Sequence, residues 1–466
     1  MKYKQILLTV ALLLSVQIHA WGQIDNTVNQ LVPSENVILQ WNRVLQETIR
    51  TPGQQPATIF PVRSFAMMHA AMFDAVNSID GSYTPYLTDV PGTKNASIEA
   101  AAAQAAHDVL AALYPTRHDV FAMELANSLH GIAPNRLRQG TRVGEIVAAR
   151  LLEARANDGW NVTPPPYVLP PTPGNWQPAP APAGFTQFPA VIPFAITSNN
   201  QFAPNPPPSL TSTEYAASFN EVKEIGSATS VTRTADQTLV ARLWANVNTP
   251  TTVWFVWNNV ARTVALERGT TTAENARLFA LMNISFHDAL QTTMTSKFVH
   301  GLWRPVTAIR RADEDDNPNT AQDAGWSSLI GNPPYPTYAG NHAAIGTSQS
   351  TTLGLFFGRD DIAFQHTWEG VGGATRLYPG FTAMANEEER SRVYGGIHFT
   401  FDQVAGQSVG RNVANYVFLN FMRPRQQSKF SRSFSIENNL KFPGQIYFNS
   451  VPDPLPLMEQ KRRKLR

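Results

Sequence analysis

Three short segments in the C-terminal half collect residue types suited to gripping a small oxyanion. The first is Lys297-Phe-Val-His-Gly-Leu-Trp-Arg304-Pro305. A spacing of seven puts Lys297 and Arg304 about 20° apart on one helix face. Two cations on one face repel unless an anion lies between them. Pro305 disfavours helix at the residue before it, so Arg304 is expected where the helix ends, with its guanidinium turned inward. The second is Pro333-Pro-Tyr-Pro-Thr-Tyr-Ala-Gly-Asn-His342, which leads into a small-residue helix from Ala343 to Phe357. Gly340 lets backbone come close to a ligand, and the amides of Gly340, Asn341 and His342 would face an anion at that helix N-terminus. The third is Ser391-Arg392-Val-Tyr-Gly-Gly-Ile-His398-Phe-Thr-Phe-Asp402. A separation of six puts Arg392 and His398 on different faces of a straight helix, and Gly395-Gly396 offers the break that brings both to one site. Asp402, four residues after His398, is placed to hold one ring nitrogen, which fixes the tautomer and raises the basicity of the other.

Each segment alone has a plainer reading: an exposed basic face, a loop glycine, a surface arginine beside a core histidine. Together they supply three fixed positive charges, backbone amides and two histidines. That set suits a phosphate-like oxyanion, which arginine forks grip two oxygens at a time. It suits zinc poorly, because no HExxH is present and nearby arginines would repel a cation.

Helices must position these groups. Residues 35 to 158 read as helical, with breaker-free stretches at 63–77, an alanine-rich run at 96–113 ending before Pro115, and another helix at 136–156. His69, His107, His118 and His130 fall in this region and read as packing or surface residues. Residues 159–212 change character, with 15 of the 35 prolines among Trp160, Tyr167, Trp176 and Phe185. Proline removes amide donors and breaks helix, and the interleaved aromatics favour an ordered strap over a free linker. Helices resume near 213 and 234, then at 274–290 with clear 3.6-residue periodicity, at 343–357 and at 386–422. No run of alternating strands and no 20–50-residue repeat appears. The fold class is mainly α.

The chain has 466 residues, 43% hydrophobic and 15% charged, with a formal net charge of +2. Lys461–Arg466 carries five positive charges, more than the net excess, so the rest of the chain is mildly acidic and no basic face for nucleic acid is indicated. There is no cysteine, which excludes disulfides, thiolate-bound metal and a thiol nucleophile. Lys2 and Lys4 precede an apolar run, Ile6 to Ile18, too short to span a bilayer. Residues 1–20 therefore read as an export signal, and a soluble periplasmic or extracellular protein without a stable membrane anchor is expected.

The motif set resembles the vanadium-dependent haloperoxidases, which share their site with type 2 phosphatidic acid phosphatases and bacterial acid phosphatases. The family pattern has a lysine seven before Arg-Pro, then Pro-Ser-Gly-His, then Ser-Arg with a histidine six further on. Lys297/Arg304-Pro305, the His342 segment and Ser391-Arg392/His398 match it in order and spacing. The stretches 63–77 and 274–310 also look like the haloperoxidase branch. The resemblance implies a helical-bundle haloperoxidase-like domain with vanadate as cofactor. Lys297, Arg304 and Arg392 would neutralise the vanadate oxygens, with Gly340 and Asn341 lining them. His398 would bond to vanadium, His342 would be the acid–base group, and Asp402 would support His398. The partners would be hydrogen peroxide and halide, giving hypohalous acid. In the phosphatase branch the partner would be a phosphate ester and the His398 position would form a phosphohistidine. The usual Ser-Gly before the histidine is Gly340-Asn341 here, so a non-catalytic oxyanion-binding relative is a third alternative. Tyr335 falls where the family varies a residue near the halide. The layout expected is a signal at 1–20, an N-terminal helical region at 21–158, the strap at 159–212, a C-terminal helical region carrying the site at 213–455 and a basic tail at 456–466. An oligomer is compatible with all of this.

Overall fold

The computed structural model describes residues 35–54, 59–178, 181–245, 252–369 and 371–425. The expected signal at 1–20 and basic tail at 456–466 lie outside the described residues.

The N-terminal part is a set of packed helices: α1 (Val37–Arg50), α2 (Pro61–Asp80), α3 (Ile98–Leu113), α4 (His118–Leu129) and α5 (Pro134–Arg155). Local chemistry sets their ends. Asn36 caps α1 by accepting from the amides of Ile38 and Leu39. Pro61 opens α2, and Gly81 closes it at φ 72°. Small residues allow α3 and α5 to touch. A Cβ on Gly140 would lie 2.6 Å from the Ser97 carbonyl, and one on Gly144 2.6 Å from that of Ala101.

The C-terminal part holds α6 (Thr213–Ile225), α7 (Ala235–Trp244), α8 (Val253–Arg268), α9 (Thr272–His300), α10 (Pro305–Arg310), α11 (Asn341–Phe357), α12 (Phe381–Tyr394) and α13 (Thr400–Asn420). The long helix α9 starts at a Thr271/Glu274 capping box and is buried almost all round. It packs against α2 on one side and against α11 and α13 on the other. Among the described residues a larger hydrophobic core runs from Val37 to Met422 and a smaller one gathers Tyr215, Trp303, Val393 and Phe399, and the protein is mainly α, as its sequence implies.

Three features differ from the sequence reading. The stretch 386–422 is two helices, because Gly395 and Gly396 (φ 78°) turn the chain between α12 and α13. Helix α8 has no counterpart in that reading; its Trp254, Phe255 and Trp257 look as much like strand as helix. An antiparallel hairpin, β1 (Phe364–Trp368) and β2 (Ala374–Tyr378), projects between α11 and α12. Its β1 strand alternates buried and exposed residues, but over five positions only, too few to stand out as a pattern.

The described residues of 159–212 hold no α-helix and cross the helices as an irregular segment. Asp288 of α9 accepts the amides of Phe194, Ala195 and Ile196 at 2.8, 2.7 and 3.0 Å. Trp176 and Phe188 are buried. The Trp176 amide donates to the Gly301 carbonyl, and the Trp303 amide to that of Gly174. The chain thus crosses the end of α9 close to the segment that carries Arg304.

Candidate active site

Lys297 occupies the last turn of α9, which ends in Gly301 at φ 59°. Its ammonium is fully buried. Its Nζ donates to the carbonyls of Thr337 and Ala339, at 2.6 and 2.5 Å. This tethers the 333–340 segment to the helix end. Arg304 is not on the α9 face, contrary to the seven-residue helical spacing. Gly301 stops the helix first, and Arg304 is extended (φ −82°, ψ 156°) as the residue before α10. The preceding-proline effect wins over the helical period. Its guanidinium still turns inward. Nε donates to the Tyr335 carbonyl at 2.9 Å, and Nη1 to the Ile397 carbonyl at 2.9 Å.

Arg392 lies in the last turn of α12 and is buried, with Nη1 donating to the Trp244 carbonyl at 3.0 Å. The Gly395-Gly396 turn then returns the chain so that His398 meets Arg304: Nη1 of Arg304 is 3.0 Å from His398 Nε2. His398 Nδ1 is 3.0 Å from Asp402 Oδ2, which also accepts the Phe399 amide at 3.0 Å and the Thr337 hydroxyl at 2.5 Å. With Arg304 donating to Nε2, the hydrogen-bond pattern assigns the ring proton to Nδ1 and a lone pair to Nε2. Asp402 therefore reaches the His398 ring from one helical turn away. Thr337, 3.0 Å from His398 Nδ1, has no signal in the sequence, because its role depends on α13 packing against a loop.

His342 sits in the first turn of α11. Its Nδ1 lies 3.1 Å from Glu388 Oε1, without the alignment of a hydrogen bond. Asn341 is buried, its Nδ2 3.4 Å from the Tyr335 hydroxyl. The Tyr335 ring stands 5.1 Å from the Arg304 guanidinium and 5.6 Å from Lys297 Nζ, within cation–π range.

Gly340 departs from expectation. Its amide is already spent on the Asp402 carbonyl at 2.8 Å, so it does not face an anion. An added Cβ would meet the Gln403 side chain at 2.8 Å and the Asp402 carbonyl at 3.0 Å. The glycine is there for close packing of the α11 start against the first turn of α13.

Electrostatics follow from burial. Lys297 is held well below its ordinary value by desolvation and by Arg304 and Arg392, with Asp402 opposing. Arg304 and Arg392 are each lowered to about 10, chiefly by burial. His342 and His398 are pushed well below the usual histidine range by burial and the neighbouring cations, and are neutral. Burial pushes Asp402 up to about 6 against the pull of Thr337 and Lys297. A cavity of about 290 Å³ opens onto Arg392, His342, Asn341 and Tyr335, between apolar walls that include Phe185, Trp244 and Ile345.

Buried donors without partners mark what the site is built for. Arg304 Nη2 and Arg392 Nε are buried with no hydrogen-bond partner among the described residues. Lys297 has two of its three donors engaged. Unpaired buried charged donors are costly, and a tetrahedral oxyanion beside the His398 lone pair would satisfy them. Vanadate fits this donor set.

Residues 277–427 match the family model for the VCPO second helical-bundle domain. A solved structure of a bacterial vanadium-dependent iodoperoxidase is similar over 84% of this chain and 100% of its own, with a TM-score of 0.72 and 22% identity. A holo-type bacterial vanadium-dependent chloroperoxidase is similar over 83% and 97%, with a TM-score of 0.65 and 17% identity. An apo-type structure of such a chloroperoxidase gives 79% and 95%, with 0.63 and 17%. No curated protein sequence matches the chain. Among the described residues no helix is long and apolar enough to cross a membrane. Residues 277–427 thus carry the helical-bundle domain of that family model, and the fold as a whole is similar to that of bacterial vanadium-dependent haloperoxidases.

Proposed function

We propose that the protein is an exported vanadate-dependent haloperoxidase that oxidises halide with hydrogen peroxide to hypohalous acid. The observation that carries this is the convergence of three buried cations on a neutral His398 whose Nδ1 is held by Asp402. Lys297, Arg304 and Arg392 would hold the vanadate oxygens, and His398 Nε2 is the lone pair that would bind vanadium. Bound vanadate supplies Lewis acidity toward peroxide without changing oxidation state.

The chain's own groups do the rest. The arginine donors orient the oxyanion and balance its charge in a desolvated site. Thr337, Phe399 N–H and Asp402 keep the His398 ring in one orientation. His342, on the cavity wall, handles the proton taken up as peroxide and halide become water and hypohalous acid. Asn341 presents an amide where the family has Ser-Gly, and Tyr335 shapes the wall beside it.

The test is to load the protein with vanadate and follow iodide and bromide oxidation by peroxide, with phosphate-ester hydrolysis in parallel. Halide oxidation that disappears in His398→Ala is the expected result. Ester hydrolysis inhibited by vanadate, with no halide oxidation, makes the protein a phosphatase. Oxyanion binding without either activity makes it a binding protein.

A further inference from the structure

The facing surfaces of α11 and α12 hold a polar pair that the oxyanion clamp does not use. Glu388 lies one turn before Arg392 and is fully buried. Its carboxyl occupies the space left by Gly346, where an added Cβ would lie 2.7 Å from Glu388 Oε2. Gly346 is one turn after His342 on the same helix. Glu388 Oε2 accepts the Trp257 indole N–H at 2.8 Å. The other oxygen, Oε1, faces His342 Nδ1 at 3.1 Å, and both atoms are buried without an aligned partner among the described residues. Buried polar atoms are rarely left so, and a small ring rotation joins them. The remaining exposure of the His342 side chain, 11%, then belongs to the rest of the ring, which lines the cavity.

We propose that Glu388 is the positioning residue of His342, holding one proton between Oε1 and Nδ1 in both working states of the ring. This rests on His342 being the group that exchanges protons with the substrate. In the acid state Glu388 is a carboxylic acid whose O–H donates to Nδ1, and Nε2 carries the ring proton. When Nε2 gives that proton up, the shared proton moves from Oε1 to Nδ1. The pair is then a carboxylate and a neutral imidazole with a lone pair at Nε2. The pair passes from neutral to one negative charge, and no imidazolium forms. That matters because Lys297 from α9 and Arg392 from α12 face the ring, and they disfavour any positive charge on it. His398 is the other titratable ring nearby and is neutral. Trp257 from α8 brings a donor and no charge. Burial raises Glu388 well above the carboxylate range, with the Trp257 hydrogen bond and Arg392 opposing, as the acid state requires. The two groups titrate as one unit.

Nitrogen-15 NMR of histidine-labelled, vanadate-free protein reads the tautomer directly, with His342→Gln to assign the signals. In the native protein the ring is expected to change from Nε2–H to Nδ1–H as pH rises across the span in which the protein stays folded. In Glu388→Gln the Trp257 N–H selects the amide oxygen and turns the NH2 group toward Nδ1. Nδ1 then accepts, and the ring stays Nε2–H across the span. A native ring that keeps one tautomer, or a Gln variant that switches as the native protein does, overturns the assignment. The native measurement decides the matter even where the variant does not fold. It needs neither vanadate nor halide, so failure of the haloperoxidase reading in the oxidation assay is a separate outcome.

Discussion

Lys297 is the residue whose charge depends most on what lies beside it. Burial and two guanidiniums hold its ammonium well below the ordinary lysine value. An oxyanion placed among the three cations reverses that balance and raises the lysine again. Oxyanion binding therefore takes up a proton at pH values between the lysine's ligand-free and ligand-bound values, and affinity falls as pH rises across that interval. Calorimetric vanadate titrations in two buffers of different ionisation enthalpy measure that uptake. It should shrink in Lys297→Met; equal uptake in both proteins would place the proton elsewhere. Arg392→Ala removes a buried donor, Nε, that has no partner among the described residues. Loss of a charge-assisted bond of about 1.5–3 kcal/mol should weaken vanadate binding roughly tenfold to a hundredfold. Unchanged affinity would put Arg392 outside the clamp. At this scale the sequence was informative where spacing itself carries the chemistry. His398 and Asp402, four apart, do meet. Thr337 and Glu388 were invisible, because their partners lie 61 and 46 positions away in sequence and only packing brings them together.

The helices decide how sharply those residues are aimed, and glycines decide how closely the helices approach. A Cβ on Gly406 would sit 2.1 Å from the Gly340 carbonyl, and one on Gly410 2.2 Å from that of Ala344. The α11–α13 crossing is thus set by backbone-to-backbone contact. By the family pattern alone, Gly340→Ser would restore a missing hydroxyl and tighten oxyanion binding. The structure gives the opposite expectation. The new Cβ presses on Gln403 and on the Asp402 carbonyl, and overpacking of this kind costs about 1–3 kcal/mol. Thermal unfolding should show the variant less stable, and a vanadate titration should show no gain in affinity. A tightened complex at unchanged stability would mean that α11 begins differently. Helix existence was legible from breaker-free runs of helix formers and small residues in α2, α3 and α11, and from the 3.6-residue period of α9. The split between α12 and α13 was legible only as a Gly-Gly pair able to break a helix. The hairpin and α8 were not, since a five-residue strand and an aromatic-rich helix leave no distinctive period.

On the scale of the whole molecule, the strap links the N-terminal helices to the cavity. Arg155, at the end of α5, donates to the carbonyls of Ile192 and Pro193, and the Tyr86 hydroxyl donates to that of Phe194. Further along, the Gly184 amide donates to the Pro334 carbonyl, and the Phe185 ring stands 5.8 Å from that of Tyr335. Phe185 and Tyr335 both line the cavity, so the strap forms part of the wall beside the clamp. Its proline-and-aromatic composition announced an ordered crossing, but not which core residue would hold it. That residue is Asp288, which takes three consecutive strap amides through one carboxylate. Asp288→Ala would leave three buried N–H groups unpaired, at about 1–3 kcal/mol each. Releasing the strap to water relieves that penalty with less loss of packing than unfolding α9, whose apolar surface is shared with α2, α11 and α13. The variant should therefore keep its helical circular dichroism while limited proteolysis cuts faster within residues 159–212. Its vanadate affinity should fall less than that of Arg392→Ala, because the cations stay in place and only a wall moves. A cleavage pattern identical to the native one would show that Trp176, Phe188 and the other buried aromatics hold the strap without the carboxylate.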